Sequence, residues 1–309
     1  MLSRIAESIF WIGRYIERSD GTARILDVHL QLLLEDPWIE EDVACRSLLG
    51  VMGSAAPDDR QLTRADVLGM LAVDRHNAAS IAYSLGAARE NARRAREIVS
   101  TELWECLNTT RARMPRKVAE DKVHEFFAWV RERSALAVGI IESATSRDEV
   151  WSFFTLGRSI ERADMTARLL ATRALTEVSG PSWTTILRSC GAYEPYLRTH
   201  RGVPSARNAA EFLLLDRLFP RSVLFSISRA EQCLRDVEPP SERLAGPDLA
   251  QRLLGQVRAD LEFSSTEGIL DDLTARMEQV QRATSDASEA IRARYFPSNA
   301  APTWVGERS

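Results

Sequence analysis

Apolar residues recur along this chain with helical spacing almost from its first residue. Ile5, Ile9, Ile12, Ile16, Ser19, Ala23, Leu26, Leu30 and Leu33 are separated by alternating intervals of four and three. That rhythm keeps one stripe on one face of a helix. It predicts a helix of roughly 30 residues, ended by Pro37. A second seam, Phe153, Leu156, Ile160, Ala163, Ala167, Leu170 and Ala174, follows the same rhythm up to Gly180 and Pro181. Short helices are predicted over 40–52 and 64–73, a long one over 75–108, and another behind a start signal at Pro115. Further helices are predicted over 183–196, 205–218, 221–237, 247–262 and 267–295. No segment alternates with period two between hairpin turns, so strands are not expected. The segment 297–309 carries proline and serine and reads as a loose tail.

The two long seams share more than their period. FWIGRYIERSDGTARIL, from Phe10 to Leu26, and FTLGRSIERADMTARLL, from Phe154 to Leu170, are identical at 11 of 17 positions with a constant offset of 144. Farther along, MLAVDR (70–75) matches FLLLDR (212–217) at an offset of 142, which sets Ser80 and Ser84 opposite Ser222 and Ser226. Two units of about 140 residues follow, 1–145 and 146–296, each too open to bury its own faces. The expected fold is all-α, a helical bundle of two pseudo-two-fold-related repeats packed into one body. That body is a single domain over 1–296.

Beside each seam runs a charged stripe. Phe10, Gly13, Glu17, Asp20, Arg24, Val28 and Gln31 share one face, as do Phe154, Gly157, Glu161, Asp164 and Arg168. Glycine inside a helix costs about 1 kcal/mol relative to alanine. Its occurrence in both copies calls for a close approach by another helix or a ligand. The carboxylates therefore belong at the edge of the core, where each needs a partner. Asp20 and Arg24, and Asp164 and Arg168, have the favourable i,i+4 order. Arg14 and Arg158 stand three residues before the glutamates, and Arg18 and Arg162 add a second side. With two carboxylates and three guanidiniums per copy, the network is expected to neutralise itself without a metal, and the two charged helices are expected to pack together and bring both motifs into one cluster.

Three readings of this cluster follow. One is a buried salt-bridge lattice that fixes the packing of the halves. Another is a shared site for an anionic or peptide-like ligand. The third is a carboxylate metal site, opposed by the adjacent arginines and by the lack of histidine in either motif. No bound metal or cofactor is expected.

Composition narrows the class. At 45% hydrophobic and 27% charged residues with a net charge of −4, the chain reads as globular, with no field favouring nucleic acid or an anionic membrane. No run is long and apolar enough for a membrane span. Cys45, Cys106, Cys190 and Cys233 form no CxxC pair and read as reduced core thiols of a cytoplasmic protein. His29, His76, His124 and His200 have no metal-ligand spacing. Dinucleotide, P-loop and nucleophile-elbow motifs are missing. Trp104 and Trp151 read as core anchors, and Asp74-Arg75 and Asp216-Arg217 as local caps and pairs. The arginine-rich stretch 86–97 reads as a solvated helix face.

The doubled Gly-Arg-x-Ile-Glu-Arg-x-Asp motif, ARENAR (88–93 region) and RSVLFSISRAE (221–231) resemble the bacterial alpha-E domain family over nearly the whole chain. The family motif falls on Glu17-Arg18 and Glu161-Arg162. DRHNAAS at the first DR turn lacks the proline of DRLFPRS at the second, so the two turns are not constrained alike. The resemblance implies an all-helical protein encoded beside, or fused to, ATP-grasp-like and transglutaminase-like proteins. Its implied role is a non-catalytic partner of a peptide-forming or peptide-tagging system, binding the ATP-grasp-like protein or its peptide product. The alternative is an enzyme acting on an amide with Glu17 or Glu161 as general base, against which the flanking arginines argue.

Overall fold

The computed structural model describes residues 1–35, 40–175, 182–238, 248–264, 268 and 271–297, with the side chains of 35 and 172–175 excepted. Among the described residues there are thirteen α-helices and no strand. They are α1 (Ser3–Glu35), α2 (Glu41–Val51), α3 (Arg64–Val67), α4 (Ile81–Arg94), α5 (Thr101–Arg113), α6 (Val123–Ala144) and α7 (Glu149–Leu175), followed by α8 (Trp183–Ser189), α9 (Tyr193–Thr199), α10 (Ala206–Leu215), α11 (Val223–Val237), α12 (Leu249–Phe263) and α13 (Leu273–Tyr295). The stop signals expected at Pro37 and at Gly180-Pro181 lie outside the described residues, as does the tail from 298 onward.

The two seams become the centre of the molecule. Ile12, Ile16, Ala23 and Leu26 of α1, and Leu156, Ile160, Ala163, Ala167 and Leu170 of α7, are almost completely buried. The helices α1 and α7 pack on one another; α4 and α6 flank α1, and α11 and α13 flank α7. The short α2 also reaches α7, and α8 reaches α1. One continuous apolar core runs through these elements. Phe296, just past α13, closes one end with its ring 5.7 Å from Phe10 and 5.6 Å from Phe153.

Several predicted helices are cut where a polar cap intervenes. The stretch 75–108 is two helices, not one. The Ser80 hydroxyl accepts from the Tyr83 amide to start α4, and the Ser100 hydroxyl accepts from the Leu103 amide to start α5. The stretch 183–196 divides at Gly191, whose φ of +61° terminates α8. Pro115 begins no helix. The extended Met114 before it ends α5, and helical structure resumes in a 3-10 turn at Glu120–Lys122 leading into α6. After α3 the backbone widens into a π-helical turn, Leu68–Val73.

The DR turns are alike despite the missing proline. Asp74 and Asp216 have nearly the same extended backbone (φ −66°, ψ 123° and φ −62°, ψ 123°). Their carbonyls accept from the hydroxyls of Ser80 and Ser222, the residues that cap α4 and α11. In the first turn Asn77 braces the backbone, donating to the Met70 carbonyl at 3.1 Å and accepting from the Ala79 amide at 3.0 Å. The aspartates therefore organise turns and do not cap helices themselves, and Arg217 pairs at long range with Glu262 at 2.6 Å.

Candidate functional site

The double glycine marks where α1 and α7 touch. A Cβ built on Gly13 would lie 2.2 Å from the Phe154 carbonyl oxygen, and one on Gly157 would lie 2.2 Å from that of Phe10. Backbone meets backbone, which only a residue without a side chain permits. At this separation the charged stripe of each helix faces the other helix.

That proximity redirects the ion pairs. Arginines within reach on the same helix are not the partners of the glutamates, whose grips come from the opposite helix. Glu17 of α1 takes a two-pronged grip from Arg162 of α7 (Nε to Oε1 2.7 Å, Nη2 to Oε2 2.9 Å) and a longer bond from Arg158 Nε at 3.4 Å. Glu161 of α7 is gripped likewise by Arg18 of α1 (2.5 and 3.0 Å) and by Arg14 Nε at 2.7 Å. Fork-to-fork pairing of this kind suits arginine and excludes lysine. A helix cannot place an arginine three residues back for such a grip and also present it across the interface. The aspartates do pair within their helices as expected: Asp20 accepts from Arg24 at 2.9 Å and Asp164 from Arg168 at 2.7 Å.

One member was not identified from the motifs. Arg221, from the second DR turn, donates to Glu17 at 2.6 Å and to Asp20 at 2.5 Å. In the sequence alignment of the two turns its counterpart is Ala79, a difference present in DRHNAAS and DRLFPRS. The surroundings differ accordingly. A space of about 20 Å³ remains beside Glu17, Arg162 and Arg221, whereas about 220 Å³ lies open beside Arg18, Ala79, Glu161 and Asp164. Both groups are bordered by a glycine in left-handed conformation, Gly191 near the Arg24 guanidinium and Gly53 near that of Arg168.

Both glutamates are about 97% or more buried. Burial on its own would raise their pKa values. Arg162, Arg221 and Arg158 outweigh it for Glu17 and hold it far below the usual range. Arg18 and Arg14 do the same for Glu161, bringing it down to about 2. Carboxylates that stay charged, with their lone pairs taken by guanidiniums, are poor proton acceptors. Every carboxylate here faces arginine, and among the described residues no group of three His, Cys, Asp or Glu side chains is placed to hold a metal ion. All four cysteines are buried and unpaired. Trp151 is buried, while Trp104 is half-buried between the Arg89 and Arg96 guanidiniums. No helix among the described residues is long and apolar enough to cross a membrane.

A family model for Alpha-E, described as a predicted alpha-helical domain with a conserved ER motif, matches residues 1–296. Uncharacterised proteins of Mycobacterium bovis and of Mycobacterium tuberculosis H37Rv are each 24% identical to this chain over 97% of its length. The match takes up 38% of each mycobacterial protein, so the chain spans about two fifths of the curated relatives it matches. No solved structure matches.

Proposed function

We propose that this chain, which belongs to the Alpha-E family, is a non-catalytic helical component in which the ER motif is a structural lattice. The observation that carries the reading is that Glu17 and Glu161 are both buried, charged and held in two-pronged grips from the opposite helix. In this reading residues 1–145 and 146–296 are two repeats about a pseudo-two-fold axis that runs between Gly13 and Gly157, and they form one domain. The reciprocal glycine contacts and the exchanged Glu-Arg grips support it.

The partner we propose is an ATP-grasp-like protein, or the peptide it makes, as the family resemblance implies. The matched region is a part of much longer mycobacterial polypeptides, which fits a component that works beside other domains. A cytoplasmic setting fits four buried thiols without disulfides. The enzymatic alternative, Glu17 or Glu161 as general base, is disfavoured because such a base needs a raised pKa and access to substrate.

The test is reconstitution with an ATP-grasp-like protein of the kind the resemblance implies. The chain should co-purify with it, and product should form only when both are present. Amide hydrolysis or transfer by this chain alone, lost in Glu161→Gln at unchanged melting temperature, would establish the enzyme instead.

A further inference from the structure

Arg158 is the weakest-paired member of the lattice. Its bond to Glu17 is 3.4 Å, and its other carboxylate, Glu142, stands 3.7 Å away. Arg14, the matching residue on α1, bonds Glu161 at 2.7 Å and the Ser288 hydroxyl at 2.8 Å. Both guanidiniums are nearly as buried as one another. Burial, with Arg162 and Arg221 close by, lowers the pKa of Arg158 in spite of Glu17. A buried cation with such loose partners needs negative charge from elsewhere.

The space next to it is built to receive that charge. A cavity of about 600 Å³ opens between α6, α7 and α11, and four guanidiniums line it: Arg147, Arg158, Arg162 and Arg229. Among the described residues Glu142 is the one carboxylate in its wall, and it is already engaged by Arg147 at 2.9 Å. Arg229 makes no ion pair to a described residue. Instead it packs over the Trp151 ring at 4.7 Å, with Arg147 over the same ring at 4.6 Å. The tryptophan thus holds two cations at the rim through its π face. Thr155, in the same wall and 7% exposed, has a hydroxyl without a hydrogen-bond partner among the described residues.

The matched place beside Arg14 and Arg18 is a smaller cavity of about 290 Å³ whose other two guanidiniums, Arg168 and Arg292, are met by the carboxylates Asp164 and Glu289 in the same wall. Positions 7, 11 and 87 hold Glu7, Trp11 and Ala87 where this wall has Trp151, Thr155 and Arg229. The arrangement is therefore particular to one side and is not a by-product of the doubled motif.

We infer that this cavity binds a small molecule through a phosphate group, with Arg158, Arg229 and Arg147 as the anchoring guanidiniums. A phosphate monoester supplies close to two negative charges and three acceptor oxygens, which answers an arginine surplus that a single carboxylate would leave half met. Arginine forks match phosphate oxygens in pairs. The volume exceeds what a phosphate fills and lies within the range of small-molecule pockets, about 300–1,000 Å³, so the rest of the ligand has room. This site stands apart from the proposed partner role, since binding requires this chain alone.

The experiment is calorimetric titration of the full chain with pyrophosphate and, separately, with inorganic phosphate and with succinate, each paired with a melting curve. Saturable binding of pyrophosphate and a raised melting temperature are expected, with succinate far weaker. Arg229→Ala, which leaves the Glu17 and Glu161 grips untouched, should weaken pyrophosphate about tenfold or more. Arg147→Ala should weaken it too, while Arg93→Ala on the exposed face of α4 should change nothing. Absence of saturable binding at millimolar phosphate and pyrophosphate would overturn the inference. So would affinity indifferent to Arg229 and Arg147, and so would succinate binding as tightly as pyrophosphate.

Discussion

Glu17 and Glu161 occupy the same place in two nearly identical motifs, yet their surroundings differ by one arginine. Three guanidiniums meet Glu17, from Arg158, Arg162 and Arg221. Two meet Glu161, from Arg14 and Arg18. The extra one comes not from the motif but from a turn more than two hundred residues from Glu17 in sequence. With fewer partners the Glu161 pair is shorter where it exists, Arg14 at 2.7 Å against Arg158 at 3.4 Å. The doubled motif thus supplies the contacts between the helices, while loops decide how full, and how open, each cluster is.

Removing the carboxylates should give the largest effects. Glu17→Ala takes a carboxylate partner from three buried guanidiniums and Glu161→Ala takes one from two. Breaking one partner of a buried pair costs about 3–5 kcal/mol, so Glu17→Ala is expected at the top of that range and Glu161→Ala below it. Urea midpoints of the two variants check the order, and equal losses would erase the distinction between the clusters.

Acid removes the same charges without a mutation. The folded pKa of Glu161, about 2, is below its ordinary 4.5. Its contribution is thus complete above pH 4.5, where the unfolded chain is also ionised, and is lost as pH falls toward 2. Glu17 is held lower still, so its loss extends farther into acid. Stability measured against pH should decline below about 4.5, with Glu161→Gln flattening the upper part of that decline.

At the glycines the two sides are alike, so the comparison should vanish there. Gly13→Ala and Gly157→Ala each drive a methyl group into a backbone carbonyl that cannot turn aside. Losses of about 2–3 kcal/mol, similar for both, are expected from overpacking, read from thermal unfolding. The smallest effect should come from Ala79→Arg, which offers the Glu161 side the guanidinium it lacks. Arg14 and Arg18 already meet Glu161, so the change should stay under about 1 kcal/mol in either direction. A crystal structure of the variant would show the 220 Å³ space beside Asp164 filled.

Much of this was legible from the chain because helical periodicity is local. The seams of α1 and α7, the charged stripe beside each, and the need for a close neighbour at Gly13 and Gly157 all follow from residues a few positions apart. Family membership followed from the motif and the segments behind it. The breaks at Ser80 and Ser100 were hidden because a serine reads alike at a helix cap and on a helix's polar face. The crossed pairing was hidden for another reason. Arg14 lies three residues from Glu17, and spacing alone cannot tell a neighbour on the same helix from a better partner across it. Arg221 was visible only as a mismatch with Ala79, and its reach to α1 depends on how the chain returns. The arginines around Trp151 come from the loop before α7, from α7 itself and from α11, so no sequence window contains them together.

In the proposed lattice the ER motif locks α1 to α7. The most direct test is a pair of double-mutant cycles measured by urea unfolding, one joining Glu17 to Arg162 and one joining Glu17 to Arg14. Residues in one buried network couple by about 0.5–3 kcal/mol, and independent ones by less than about 0.5. Coupling near the top of that range for Glu17–Arg162, with none beyond error for Glu17–Arg14, is the predicted result. Strong coupling of Glu17 to Arg14 and additivity with Arg162 would contradict it.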